Sequence, residues 1–84
     1  MNNGSKRLIE VNQGTQVRIT AIEGEIRYTA KLNQFGLYPG DLAVVMRFAP
    51  FDGPVLLEVR GMEIALGKSL AEHILVEVLS CDSC

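Results

Sequence analysis

The spacing of hydrophobic and polar residues changes several times along the chain, and each change marks an element. Val17, Ile19 and Ala21 alternate with Gln16, Arg18 and Thr20, the period of two expected of a half-buried strand. Glu23-Gly24-Glu25 breaks that period. Tyr28, Leu32 and Phe35 then recur at i, i+4 and i+7, which predicts a short helix over about residues 26–35. Gly36 sits where a left-handed helix stop suits glycine, and Pro39-Gly40 fits the centre of a type II turn. Beyond it, Leu42, Val44, Met46 and Phe48 alternate with Ala43, Val45, Arg47 and Ala49. Both sets are largely apolar, so this strand is expected to be central and covered on most of both faces.

Dense turn chemistry follows in Ala49-Pro50-Phe51-Asp52-Gly53-Pro54, with Asp52-Gly53 as the expected reversal. Residues Val55 to Arg60 and Met62 to Leu66 read as strands folded back on each other at Gly61. A single helical or 3₁₀ turn is expected near 68–72. In the last strand, residues 73–79, Ile74, Val76 and Val78 fall on one side and His73, Leu75, Glu77 and Leu79 on the other. Leu8, Ile9 and Val11 form an apolar lead-in that ends in a turn at Asn12-Gln13-Gly14. The pattern is mainly β, about five short strands with one helix. A closed or nearly closed barrel is the expected architecture, because an open sheet of short strands leaves exposed edges. Residues 1–7 read as a flexible polar tail, 8–79 as one domain and 80–84 as a cysteine-containing tail.

Size narrows the functional classes. A chain of 84 residues buries only about 60% of its unfolded surface, so nearly every apolar residue is committed to one core and a deep substrate pocket is not expected. Hydrophobic residues at 48% and charged ones at 21% give a globular balance. A net charge of −2 offers no electrostatic ground for binding nucleic acid. The longest strictly apolar run, Leu42-Ala43-Val44-Val45-Met46, is far short of the ~20 residues of a membrane span. The N-terminal residues carry Lys6 and Arg7 without the apolar segment of a secretory signal. Two cysteines at the end of the chain make no disulfide framework, so the reducing cytoplasm is the expected compartment.

Motifs for chemistry are sparse. Gly67-Lys68-Ser69 lacks the upstream glycine loop of a phosphate-binding site and reads as a polar turn. His73 is the only histidine, and no serine or cysteine and carboxylate are placed around it to suggest nucleophilic catalysis. Cys81-Asp82-Ser83-Cys84 supplies two thiolates where a closed zinc site needs four ligands. Were residues 73 to 81 one strand, His73 would stand about 26 Å from Cys81, so one chain could not use both without folding its tail back. A metal-binding or metal-sensing module, with zinc or ferrous iron held by Cys81, Cys84 and His73 and able to bridge a dimer, is therefore the alternative reading. Of the apolar residues at 32, 35 and 37, Phe35 is expected in the core. Leu32 and Leu37 admit two readings: packing, or an exposed patch for a protein partner.

Five segments in order carry a resemblance. They are Leu8 to Gly14; Lys31-Leu32-x-x-Phe35-Gly36-Leu37-x-Pro39-Gly40; Ala49-Pro50-Phe51-Asp52-Gly53-Pro54; Gly61-x-x-Ile64-Ala65-Leu66; and Ala71-x-x-Ile74-x-Val76. Together, from about Leu8 to Val78, the chain resembles the FeoA ferrous-iron-transport accessory domains. The resemblance implies an SH3-like β-barrel without catalysis or a required cofactor, working in the cytoplasm beside FeoB, the membrane GTPase that carries ferrous iron. It implies a docking face around Leu32 to Gly40, to which Lys31, Leu32, Leu37 and Tyr38 are assigned. Phe35 departs from the leucine or methionine more usual there, and Gly67 from a longer polar side chain. The barrel is similar also to the C-terminal domain of iron-dependent repressors of the DtxR type, but no helix-turn-helix precedes it here. Self-association of a small barrel through its strand edges is a third expectation.

Overall fold

The alternation in β2 (Thr15–Ile22) becomes one face in and one face out: Val17 and Ile19 are buried while Gln16, Arg18 and Thr20 are exposed. In the computed structural model, which describes residues 6–81, this strand lies at the centre of a six-stranded antiparallel sheet. The other strands are β1 (Lys6–Arg7), β3 (Leu42–Phe48), β4 (Val55–Val59), β5 (Met62–Leu66) and β6 (Ile74–Cys81), in the order β1-β6-β2-β3-β4-β5. A 3₁₀ turn (Leu8–Glu10), one nine-residue helix α1 (Ile26–Gln34) and a single helical turn α2 (Lys68–Ala71) complete it.

The mainly β class holds, with six strands rather than five. The extra one is the pair Lys6–Arg7, expected within the tail, which pairs with Val76 and Leu75 of β6. The Arg7 guanidinium fixes this edge by donating to Glu23 Oε1 and to the Glu72 carbonyl, both at 2.9 Å. At the other end of the chain, the last strand continues through residues 80 and 81 into the expected tail, where Cys81 pairs with Thr15. Closure of the sheet, as the ladder stands, is not made: β1 and β5 are its two ends.

A bulge corrects the reading of β3. Val45 pairs with Leu57 and Arg47 with Leu56, which leaves Met46 as an extra residue on the bulged strand. One extra residue switches every later side chain to the other face. Ala43 and Val45 therefore point inward with Phe48, which packs against the core, while Leu42 and Met46 are exposed at 50% and 40%. The two apolar sets are one inward set broken by a bulge, and the outer face of β3 is not covered.

The β3–β4 hairpin also turns one residue earlier than expected. Phe51 and Asp52, not Asp52-Gly53, are its central residues, with φ of 59° and 58°, and Gly53 N–H donates to the Pro50 carbonyl. Gly53 is required for space instead, since a Cβ there would stand 2.8 Å from Ala49 Cβ. The core gathers residues from the whole order of strands, from Leu8 beside β1 to Leu66 at the end of β5, with Leu32 and Leu37 closing one end.

Candidate functional site

The segment joining α1 to β3 is built by its own backbone. Leu37 N–H donates to the Leu32 carbonyl at 3.0 Å and Gly36 N–H to the Asn33 carbonyl at 2.9 Å, with Gly36 at φ 88°. These are the two bonds of a Schellman helix stop, a motif commonly accompanied by an apolar contact between the residues at its two ends. Those residues are Leu32 and Leu37, and both are completely buried. Next, Tyr38-Pro39-Gly40-Asp41 forms the type II turn, closed by Asp41 N–H on the Tyr38 carbonyl at 3.1 Å, with Gly40 at φ 98°. Gly40 N–H donates to the Ile19 carbonyl and Ile19 N–H to the Asp41 carbonyl, which ties the turn to the central strand.

A side-chain clamp then links this segment to the β4–β5 hairpin. Asp41 Oδ2 accepts from Tyr38 N–H at 2.9 Å, and Asp41 Oδ1 lies 3.1 Å from Arg60 Nη1. The second arm of the same guanidinium donates to the Gly36 carbonyl at 2.8 Å. Arg60 reaches this point from a two-residue hairpin with Gly61, both at positive φ (53° and 79°), the type I′ geometry that matches strand twist. Phe35 and Tyr38 flank the clamp in the chain, exposed at 41% and 50%, and Lys31 is exposed in the last turn of α1. A shallow depression of about 420 Å³ runs from Arg60 across the outer sheet face past Leu42 and Val44 to Gln16 and Glu58. Two exposed aromatic residues and an exposed leucine thus lie on a segment tied to the sheet by backbone hydrogen bonds and by the Asp41–Arg60 ion pair. Exposed apolar and aromatic residues of this kind suit a protein partner.

This inverts part of the expectation. Leu32 and Leu37 belong to the core and not to the docking face, because the helix stop uses them as its apolar contact. Phe35, expected in the core, is the residue that reaches solvent. Tyr38 and Lys31 stand on the surface as assigned. Asp41, Leu42 and Arg60 were missed: Asp41 carries a weak local signal, an acid closing a Pro-Gly turn, whereas Arg60 meets Gly36 across 24 positions and leaves no trace in sequence.

The metal set is not brought together by the described residues. His73 precedes β6 and stacks on Tyr28 at 3.8 Å between ring centroids, while Cys81 ends the same strand. Extended, those eight steps span about 26 Å. Cys84 lies outside the described residues, among which no group of three His, Cys, Asp or Glu is placed to hold a metal ion.

Comparison with known proteins bears on this geometry. The sequence model of the FeoA domain family matches residues 6–78. The chain is 32% identical to a FeoA-like protein from Clostridium acetobutylicum solved by NMR, covering 95% of this chain and 92% of that one with a TM-score of 0.82. It is 30% identical to an iron uptake regulatory protein (FeoA) solved by crystallography, covering 90% and 99% of the two chains with a TM-score of 0.81. A manganese-dependent transcriptional repressor superposes as well, with a TM-score of 0.83, but at 16% identity and over 44% of its own length; that likeness is one of fold alone.

Proposed function

The chain belongs to the FeoA domain family, non-catalytic accessory modules of iron transport, and on that premise we propose that it docks on a membrane GTPase of the FeoB type. It acts there as an adaptor that modulates the activity or assembly of a ferrous-iron transporter. It works on the cytoplasmic side and is held at the membrane by its partner; among the described residues no helix is long and apolar enough to cross a membrane. The fold reading that accompanies this is a sheet curled into an SH3-like barrel, supported by one core that joins Leu8 near β1 to Ile64 and Leu66 on β5.

The observation that carries the docking reading is the surface around the Arg60–Asp41 clamp. Phe35, Tyr38 and Leu42 present apolar area that a single small domain does not cover, and the segment bearing them is part of the family match. Aromatic residues and arginine on a rigid support are the residue types that anchor protein interfaces.

The test is titration calorimetry of the purified chain against the purified cytoplasmic GTPase part of its own host's FeoB-type transporter. The wild type should bind. Tyr38→Asp and Phe35→Ser should each weaken binding by at least about tenfold with the variants still folded by circular dichroism. Binding that is equally tight with both variants folded would remove this face from the proposal, and no binding by the wild type would remove the proposal.

A further inference from the structure

The tip of the β3–β4 hairpin breaks two local rules at once. Its type I′ turn has Phe51 and Asp52 at the centre, both at positive φ, where Asn and Gly are ordinarily found. A bulky residue in the left-handed region is a strained one. The Phe51 side chain is also 100% exposed. For an isolated domain both features are unfavourable, and a residue that breaks local rules without compensation inside its own fold points to a role outside it.

Beside this knob lies a hole. A recess of about 280 Å³ opens under the same loop, with Ile9, Phe48 and Val55 among the apolar residues lining it and Asp52 and Lys68 on its rim. A dry apolar cavity of about 150 Å³ already admits a benzene ring, so a phenyl group fits. Phe51 does not line the recess of its own chain. Lys68 Nζ and Asp52 Oδ1, 2.7 Å apart, set one charge of each sign beside it. Knob, hole and both charges thus share one small surface. A two-fold axis requires this kind of self-complementarity, since each copy must offer what the other accepts.

We propose that two copies of this chain associate through the hairpin tip, each seating Phe51 in the recess of the other. The Asp52–Lys68 pair of each copy then lies beside that of its partner, and the two pairs set opposite charges facing each other across the axis. A membrane surface is a poorer occupant: Lys68 is already matched by Asp52, and a chain of net charge −2 is not drawn to anionic headgroups. The tip and Arg60 lie at opposite ends of β4, so self-association leaves the Arg60 face free and stands or falls apart from the docking reading.

Sedimentation equilibrium of the full chain from about 10 μM to 1 mM, a range suited to a small interface, should show a reversible monomer–dimer equilibrium. Phe51→Asn, which suits the turn and removes both anchors of a symmetric dimer, should weaken it by about a hundredfold with the fold intact by circular dichroism. Lys68→Asp should weaken it as well, and Asp52→Lys combined with Lys68→Asp should restore it. A chain that stays monomeric throughout, or a dimer indifferent to Phe51→Asn, overturns the proposal. So does Phe51-dependent binding to vesicles of phosphatidylglycerol and phosphatidylethanolamine without self-association, which would give the tip to a lipid surface.

Discussion

The Leu32 carbonyl accepts the Leu37 N–H at 3.0 Å across the end of α1, and the two side chains are wholly buried with it. One backbone bond thus decides which residues of the segment face water. Leu32 and Leu37 turn inward as the apolar ends of the helix stop, and Phe35 between them turns out.

The consequence is that Leu32 and Leu37 act on stability. Leu32→Ala or Leu37→Ala should each cost about 2–5 kcal/mol, the range for truncating a buried leucine. Leu32→Asp adds an unpaired buried carboxylate and should leave the chain unfolded at neutral pH. Urea unfolding followed by circular dichroism measures both. A folded Leu32→Asp protein would show that the helix stop is not packed as described.

Gly24 admits no side chain for two separate reasons. Its φ of 96° is one that L-residues rarely adopt, and a Cβ there would stand 3.0 Å from Tyr28 Cδ2 and 3.1 Å from His73 Nδ1. Those two rings stack on each other, so neither yields without giving up contact. Gly24→Ala should destabilise by about 1–3 kcal/mol, and the Tyr28 ring resonances should move with it in the NMR spectrum. A loss below a few tenths of a kcal/mol would mean that the stack contributes nothing to holding the turn.

The parts of the fold written in local spacing were legible in the sequence: β2 in Val17 and Ile19, α1 in Tyr28 and Leu32, the turns at Gly36 and Pro39-Gly40. The errors came from features that spacing hides. A single bulged residue, Met46, made β3 read as apolar on both faces. The helix stop itself implies burial of Leu32 with Leu37, a local signal present in the sequence beside the open choice between packing and patch. Arg60 is different, because its partners Gly36 and Asp41 are brought to it only by the pairing of β2, β3 and β4. No local pattern encodes such a contact. The same holds for His73 and Tyr28, which meet only after the chain has passed through the whole sheet.

The Asp52–Lys68 pair gives a pH signature. Hydrogen bonding and charge attraction from Lys68 hold the Asp52 carboxyl below its ordinary value, and Asp52 raises Lys68 in turn. A depressed carboxylate contributes stability that is present above its unfolded pKa, about 3.9, and lost as pH falls through its folded value. A raised lysine contributes below about 10.4 and loses it as pH rises through its folded value. The bridge is therefore intact across the neutral range and fails only at the extremes, with a small effect because both groups are exposed. Titration of the Asp52 side-chain carbon by NMR should give a midpoint below the ordinary aspartate value. Lys68→Met should move it up, and an unmoved midpoint would show that the pair does not form in solution.

Arg60 combines two tasks that one substitution separates. Its backbone needs positive φ for the hairpin, and its guanidinium joins Asp41 to Gly36. Asparagine tolerates the turn about as well as any residue other than glycine but is too short for the clamp. Arg60→Asn should therefore keep the β4–β5 hairpin while freeing the Gly36 carbonyl and one oxygen of Asp41. Because the arginine is half exposed, water replaces much of what is lost, and the cost in stability should be about 1 kcal/mol. The cost in partner binding should be larger, since Phe35 and Tyr38 lose the support that fixes their orientation. Comparing urea midpoints with calorimetric affinity for the GTPase proposed as partner tests this: affinity falling tenfold or more at nearly native stability is the expected result. Equal losses in both would mean that Arg60 serves the fold alone.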